Sequence, residues 1–119
     1  MVGIYKYTNK LNGKVYIGRS INITHRKWEH VNHPSLHSIF DQLISKIGED
    51  KFDFEIIEEC LPEELQEKEK YWIKYYDCCI LDGRDKGYNM TRGGEEYASE
   101  NNVWAKLTEK EVIEIIDKL

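Results

Sequence analysis

Glu69 is the first residue whose position calls for a chemical explanation. Helical spacing puts Leu65, Trp72, Ile73 and Tyr76 on one stripe, and Glu69 falls on it, four residues after Leu65 and four before Ile73. Glu63, Glu64 and Glu67 do not. A carboxylate among apolar side chains needs a cation or dense hydrogen bonding, because burying it unpaired costs several kcal/mol. Two partners satisfy that need: a lysine or arginine in a structural salt bridge, or a metal ion at the edge of a cleft. Arg26 and His30 are one helical turn apart and share a helix face. Arginine matches phosphate geometry and keeps its charge, although a solvated helix face is the better account of any such pair seen alone. His33 and His37 extend the cluster, but no cysteine or carboxylate spacing completes a zinc site. Tyr5 and Tyr16 lie in short strand-like runs, where packing is the ordinary use of tyrosine. Gly3 and Gly18, in the same runs, remove side chains from a sheet surface and let a ligand or another backbone come close.

The elements that must position these groups can be read from the same chain. Val2 to Thr8 and Lys14 to Gly18 are two strands, and the Asn12-Gly13 pair between them is a strong hairpin signal. A hairpin centred on that pair matches residues whose numbers sum to 25. Val2, Ile4, Val15 and Ile17 then share one face, and Gly3, Tyr5, Tyr7, Tyr16 and Gly18 the other, a polar face. A helix is expected over about Asn22 to Val31. A second is expected over about Ser35 to Ile47, with Leu36, Ile39, Phe40, Leu43, Ile44 and Ile47 on its apolar stripe and Gly48 as its stop. Phe52, Phe54 and Ile56 alternate in a third strand, Phe52 to Cys60. Pro62 opens a third helix that runs to about Tyr76. Residues 77–102 are rich in loop signals. Thr108 and Glu111 form a capping box ahead of an apolar stripe of Val112, Ile113, Ile115, Ile116 and Leu119. The order β-β-α-α-β-α specifies a small α+β fold: a three-stranded, mostly antiparallel sheet flanked by helices, plus a C-terminal helix.

Bulk properties narrow the function classes. A chain of 119 residues holds one compact domain. No run approaches the roughly 20 apolar residues of a membrane span, and Met1 to Lys6 is no signal peptide, so a cytoplasmic protein is expected. Cys60, Cys78 and Cys79 form neither a disulfide framework nor a Cys-x-x-Cys cage and are read as structural or incidental. The net charge of −5 argues against a nucleic-acid partner until its distribution is considered. Residues 1–48 carry seven Lys/Arg against two Asp/Glu, and residues 49–119 carry ten against twenty. All four histidines lie in the first part. Such asymmetry suits a basic working face on an acidic body.

Taken together, the motifs resemble the GIY-YIG nuclease family. Gly3-Ile4-Tyr5 and Tyr16-Ile17-Gly18 are the two signature tripeptides, intact and at the family's separation. Arg26 lies ten residues after Tyr16, at the position of the family's arginine, and His30 follows by one turn. Glu69 precedes the aromatic segment Tyr71-Trp72-Ile73 as the family's glutamate does, and Gly87-Tyr88-Asn89 matches the closing Gly-Tyr-Asn. The resemblance covers about residues 1–94 and is nearest to phage and intron homing endonucleases. It leaves 95–107 as a linker and 108–119 as a helix that could begin a DNA-binding module.

The resemblance implies hydrolysis of phosphodiester bonds in double-stranded DNA with Mg²⁺ (or Mn²⁺); the sequence leaves the oligomeric state open, with a monomer favoured. It implies that Glu69 is the sole or nearly sole metal ligand, that Arg26 stabilises transition-state charge, and that Tyr5 or Tyr16 orients the water or takes its proton. A free tyrosine has a pKa of about 10, so it needs help, and His30 competes as proton acceptor. Asn89 is expected to position the scissile phosphate or to support the hairpin. Lys14, Arg19, Lys27 and His37 are expected to contact DNA. Three other readings remain at this stage: a repair-type nicking nuclease, an idle nucleic-acid-binding module on the same fold, and an acidic protein-interaction domain.

Overall fold

The computed structural model describes residues 1–93; the linker and helix expected over 95–119, like Gly94, lie outside them. Strands β1 (Gly3–Asn9) and β2 (Val15–Ser20) form the hairpin. Helices α1 (Ile23–Asn32) and α2 (Ile39–Ile47) follow, then β3 (Phe52–Glu59) and α3 (Leu65–Tyr76). The sheet order is β2-β1-β3, and both pairings are antiparallel.

The hairpin register differs from expectation. Tyr5 pairs with Gly18 and Tyr7 with Tyr16, so partner numbers sum to 23. Asn9 remains in the ladder, donating to Lys14 O at 2.9 Å, and Gly13 N closes on Asn9 O at 2.8 Å with φ +75. The loop is therefore Lys10 to Gly13 rather than the two residues Asn12-Gly13. A shift of two keeps every side chain on its expected face. It also sets Gly18, not Ser20, opposite Tyr5.

Both faces of the sheet are buried. Tyr5, Tyr7, Phe52 and Tyr88 pack with Ile23, Phe40, Leu43 and Ile44 from α1 and α2. Ile4 and Ile17 pack with Leu65 and Ile73 of α3 and with Cys78 and Cys79. The face carrying Tyr5 and Tyr7, expected to be polar, is thus an aromatic core in which both tyrosines are 1% exposed. Full burial of each large apolar side chain is worth about 1.5–3 kcal/mol, so two helical layers are stabilised against one thin sheet.

Two local departures have clear causes. Helix α2 begins at Ile39 because the Ser38 side chain caps Asp41 N at 3.2 Å, while Asp41 Oδ2 accepts from Ser35 N at 2.8 Å and folds the preceding residues into a turn. Leu36, expected on the α2 stripe, is consequently 73% exposed. In β3 the pairing slips between Ile4 and Tyr5, whose partners are Glu58 and Ile56. Ile57 is the bulged residue and packs toward α3, while Ile56 is left 40% exposed. Helix α3 ends at Asp77, which takes the left-handed conformation at φ 50. Among the described residues, no helix is long and apolar enough to cross a membrane.

Candidate active site

The α1–α2 face of the sheet holds a buried polar chain within its aromatic core. Tyr5 OH lies 2.7 Å from His30 Nε2, and His30 Nδ1 lies 2.5 Å from Asp41 Oδ1. His30 and Asp41 are fully buried. Four rings surround the imidazole: Tyr5, Tyr7, Tyr16 and Phe40, with centroids 5.2–5.8 Å away. The Tyr16 ring stacks on Phe40 at 4.3 Å and is half-buried, so it stands between this chain and solvent.

Arg26 completes the cluster. Burial works against its charge, but Tyr16, Tyr5 and Asp41 outweigh burial, and the guanidinium is held above its ordinary pKa. Tyr16 and Tyr5 both act on the half-buried Arg26, which keeps its charge there. Tyr7, from the same strand, has a different character. Its hydroxyl is buried with no hydrogen-bond partner among the described residues. Burial, then Glu49 and Asp41, pushes that phenol far above its ordinary range, and Arg26 only partly opposes them. Tyr7 is a packing residue.

Gly18 lets Tyr5 reach its place. A Cβ at Gly18 would overlap Cζ, Cε2 and the hydroxyl of Tyr5, so the ring lies directly over the β2 backbone. Gly3 plays a matching part at β3, where a Cβ would meet the Glu58 carbonyl oxygen. The two glycines are sites of close approach by the protein itself.

Glu69 comes from the other layer. It sits on the buried face of α3, 6% exposed, with Arg19 Nε 3.8 Å from its carboxylate. The expected cation is therefore Arg19, which has been placed among the DNA-contacting residues by sequence. At 3.8 Å the pairing is electrostatic and longer than a hydrogen bond. Beside it, a groove of about 560 Å³ is lined by Arg19, Ser20 and Ile21 and by Pro62, Glu63, Leu65 and Gln66. The structure thus brings Tyr5, Tyr16, Arg26 and His30 together on one face of β2 and sets Glu69 with Arg19 on the other. Gly18 touches the first group and Arg19 the second, and they are consecutive residues.

Asn89 is a support of β2. Its Nδ2 donates to Ile17 O at 2.7 Å, and its Oδ1 accepts from Ile17 N at 2.8 Å and from the Cys78 thiol at 3.1 Å. Tyr88 N donates to Val15 O at 3.1 Å, and its hydroxyl accepts from Asn9 Nδ2 at 2.9 Å. One side chain thereby satisfies a strand edge that would otherwise need another strand. Of the two roles expected for Asn89, the geometry matches support of the hairpin. The Cys78 thiol in this bond is pushed up to about 12 by burial, which suits a structural cysteine.

The remaining candidates are dispersed. Lys27 Nζ lies 4.5 Å from the centre of the Phe54 ring. Lys14 is half-buried at the end of the hairpin loop, and His37 is exposed ahead of α2. Asp41 was not anticipated by sequence. Ser38-x-x-Asp41 reads as an ordinary helix start, and nothing in that spacing shows that its carboxylate turns to His30.

A single carboxylate with no second protein ligand suits a hard cation that keeps most of its waters, which is the behaviour of Mg²⁺. Among the described residues, no group of three or more His, Cys, Asp or Glu is placed to form a closed cage. Glu69 fits the first kind of site.

Comparison with known proteins agrees with this layout. The family profile described as "GIY-YIG catalytic domain" matches residues 1–78. Two solved structures superpose with a TM-score of 0.59. One is a glutamate-to-alanine variant of the catalytic domain of intron endonuclease I-TevI, 28% identical, covering 77% of this chain and 95% of that one. The other is the catalytic domain of homing endonuclease I-TevI, 29% identical, covering 76% and 99%. No curated protein matches the chain significantly. The α+β order, the sheet topology and the two tripeptides placed on paired strands leave one assignment: the chain belongs to the GIY-YIG family and is a nuclease domain.

Proposed function

We propose that this chain is the catalytic domain of a homing-type endonuclease that hydrolyses double-stranded DNA with a divalent metal, Mg²⁺ or Mn²⁺. The observation that carries the reading is the pair of groups meeting at Gly18-Arg19: a phenol–imidazole–guanidinium cluster on one side of β2 and a buried carboxylate on the other. Metal-assisted phosphodiester hydrolysis draws on both a proton acceptor beside a fixed positive charge and an anchor for the cation.

Glu69 would hold the metal. When bound, the metal supplies Lewis-acid polarisation of a phosphate oxygen and stabilises the leaving oxygen. Arg26 would stabilise charge that develops on the phosphate, a role that demands a cation fixed before reaction. Tyr5 and Tyr16 are the groups available to orient water and accept its proton. Tyr5 is already hydrogen-bonded to His30, so phenol and imidazole act as one unit rather than as rivals. Lys14, Lys27 and His37 would contact the DNA backbone, while Asn89 would keep β2 in register.

Incubating supercoiled plasmid with the protein, without metal, with Mg²⁺ or Mn²⁺, and after EDTA, tests the reading. Nicked or linear product that appears with Mg²⁺ and disappears with EDTA is expected. Binding to DNA without any cleavage under either metal would instead identify an idle binding module.

A further inference from the structure

Asp41 lies on no motif shared with the rest of the site, yet among the described residues it is the most buried of the Asp, Glu, Lys and Arg side chains. It is completely buried. Its Oδ2 accepts from Ser35 N at 2.8 Å, and its Oδ1 faces His30 Nδ1 at 2.5 Å. A carboxylate only accepts hydrogen bonds, so this contact requires a proton on His30 Nδ1. The neutral ring then has a bare Nε2, and the Tyr5 hydroxyl 2.7 Å away must be the donor. A Tyr5 proton directed at His30 leaves the oxygen lone pairs facing away from the imidazole. The opposite tautomer would reverse this polarity and point the Tyr5 proton into the site. Among the described residues, the other titratable rings facing His30 are Tyr7 from β1 and Tyr16 from β2, and Arg26, one turn before it on α1, acts on Asp41, Tyr5 and Tyr16. None of these contributes a carboxylate.

We propose that Asp41 is a positioning residue: it fixes the His30 tautomer and thereby makes Tyr5 a proton acceptor toward the reacting water. As that water attacks phosphorus, its O–H bond breaks and a new Tyr5 O–H bond forms. The original Tyr5 O–H bond breaks in turn and a His30 Nε2–H bond forms. The imidazolium so produced is held by the Asp41 carboxylate, and its proton returns to solvent by the reverse path after turnover. No net charge is created within the relay beyond the proton that water supplies. The catalytic part of this inference rests on the nuclease reading; the tautomer does not.

The test has a spectroscopic arm and a kinetic arm. Long-range ¹H–¹⁵N spectra of the labelled protein near neutral pH, with His30 identified by its loss in His30→Gln, report which ring nitrogen is protonated. A neutral ring protonated on Nδ1 is expected. A ring protonated on Nε2 alone, or on both nitrogens where the enzyme is active, overturns the proposal. In Asp41→Asn the amide oxygen keeps the Ser35 N–H bond, so the NH₂ group faces Nδ1 and favours the opposite tautomer. An enforced wrong tautomer costs about 10⁴ in rate in a serine-protease triad. Here kcat on plasmid is expected to fall at least ~10²-fold, with KM changed less than about threefold. A shifted tautomer with wild-type kcat overturns the role. If Asp41→Asn does not fold, the wild-type spectrum decides. If the wild-type protein never cleaves DNA, the nuclease reading fails, and the spectrum still decides whether Asp41 sets the tautomer.

Discussion

Replacing Gly18 with alanine adds one methyl group at the point where β2 and the Tyr5 ring touch, and its effect can be worked out from the contacts. The new Cβ would occupy the space of Tyr5 Cζ, Cε2 and the hydroxyl. Tyr5 is 1% exposed and packs against Tyr7 at 6.0 Å and Phe54 at 5.8 Å, so the ring has little space to retreat. Overpacking a dense core costs about 1–3 kcal/mol. Displacing the hydroxyl from His30 removes a buried hydrogen bond worth about 1 kcal/mol. Together these give about 2–4 kcal/mol. In a domain of this size each kcal/mol moves Tm by roughly 4–8 °C, so a fall of at least about 8 °C is expected in thermal unfolding followed by circular dichroism. Cleavage measured well below the new Tm should still be depressed, because Tyr5 has lost its partner. Gly13→Ala is the control. It has nothing within 4 Å and φ +75, so it carries only backbone strain of about 1–2 kcal/mol and should leave activity intact. A Gly18→Ala protein with unchanged Tm and activity would refute the packing of Tyr5 over β2.

Further outcomes follow from individual contacts. Arg26→Ala should lower the cleavage rate at least ~10²-fold, and Arg26→Lys should restore only part of it, because a point charge lacks the guanidinium fork; single-turnover rates on plasmid measure both. Residues 1–48 supply only seven Lys/Arg against two Asp/Glu, so mobility shifts on unrelated duplexes should show weak binding that declines steeply with salt. Glu58 accepts from Trp72 Nε1 at 2.9 Å and pairs with Lys68 at 3.0 Å, and these contacts hold its carboxyl below the ordinary glutamate value. A depressed folded value stabilises the protein above the unfolded pKa of about 4.3 and is lost as pH falls through the folded one. Glu58→Gln should therefore lower Tm at neutral pH, with the gap from wild type closing in acid.

Sequence periodicity was most informative where one element decides a residue's environment. The Leu65–Ile73 stripe placed Glu69 on the buried face of α3, and alternation assigned the hairpin residues to their correct faces despite a register two residues off. It failed where a third body intervenes. At about 100° per residue, Asp41 lies roughly 130° from the centre of the stripe formed by Ile39, Phe40, Leu43 and Ile44, so the spacing predicts exposure. It is buried because α1 covers that side of α2 and presents His30. The same limit applies to Tyr5 and Tyr7, whose face was expected to be polar until two helices covered it. Arg19 as the partner of Glu69 was also hidden, since nothing in the sequence shows that β2 and α3 meet there. Asn89 was legible as a motif, with support of the hairpin among its expected roles, but its partner Ile17 was not, because the two bonds cross 72 residues.

The most direct test of the account is Mg²⁺-dependent nicking of supercoiled plasmid by Glu69→Gln beside the wild-type protein, each shown to be folded by circular dichroism. The substitution keeps the shape of the side chain and removes the charge that would bind the cation. The account predicts nicking by the wild type and none by Glu69→Gln at any Mg²⁺ concentration tested. Wild-type nicking by folded Glu69→Gln would contradict it and leave the buried carboxylate as only the structural partner of Arg19.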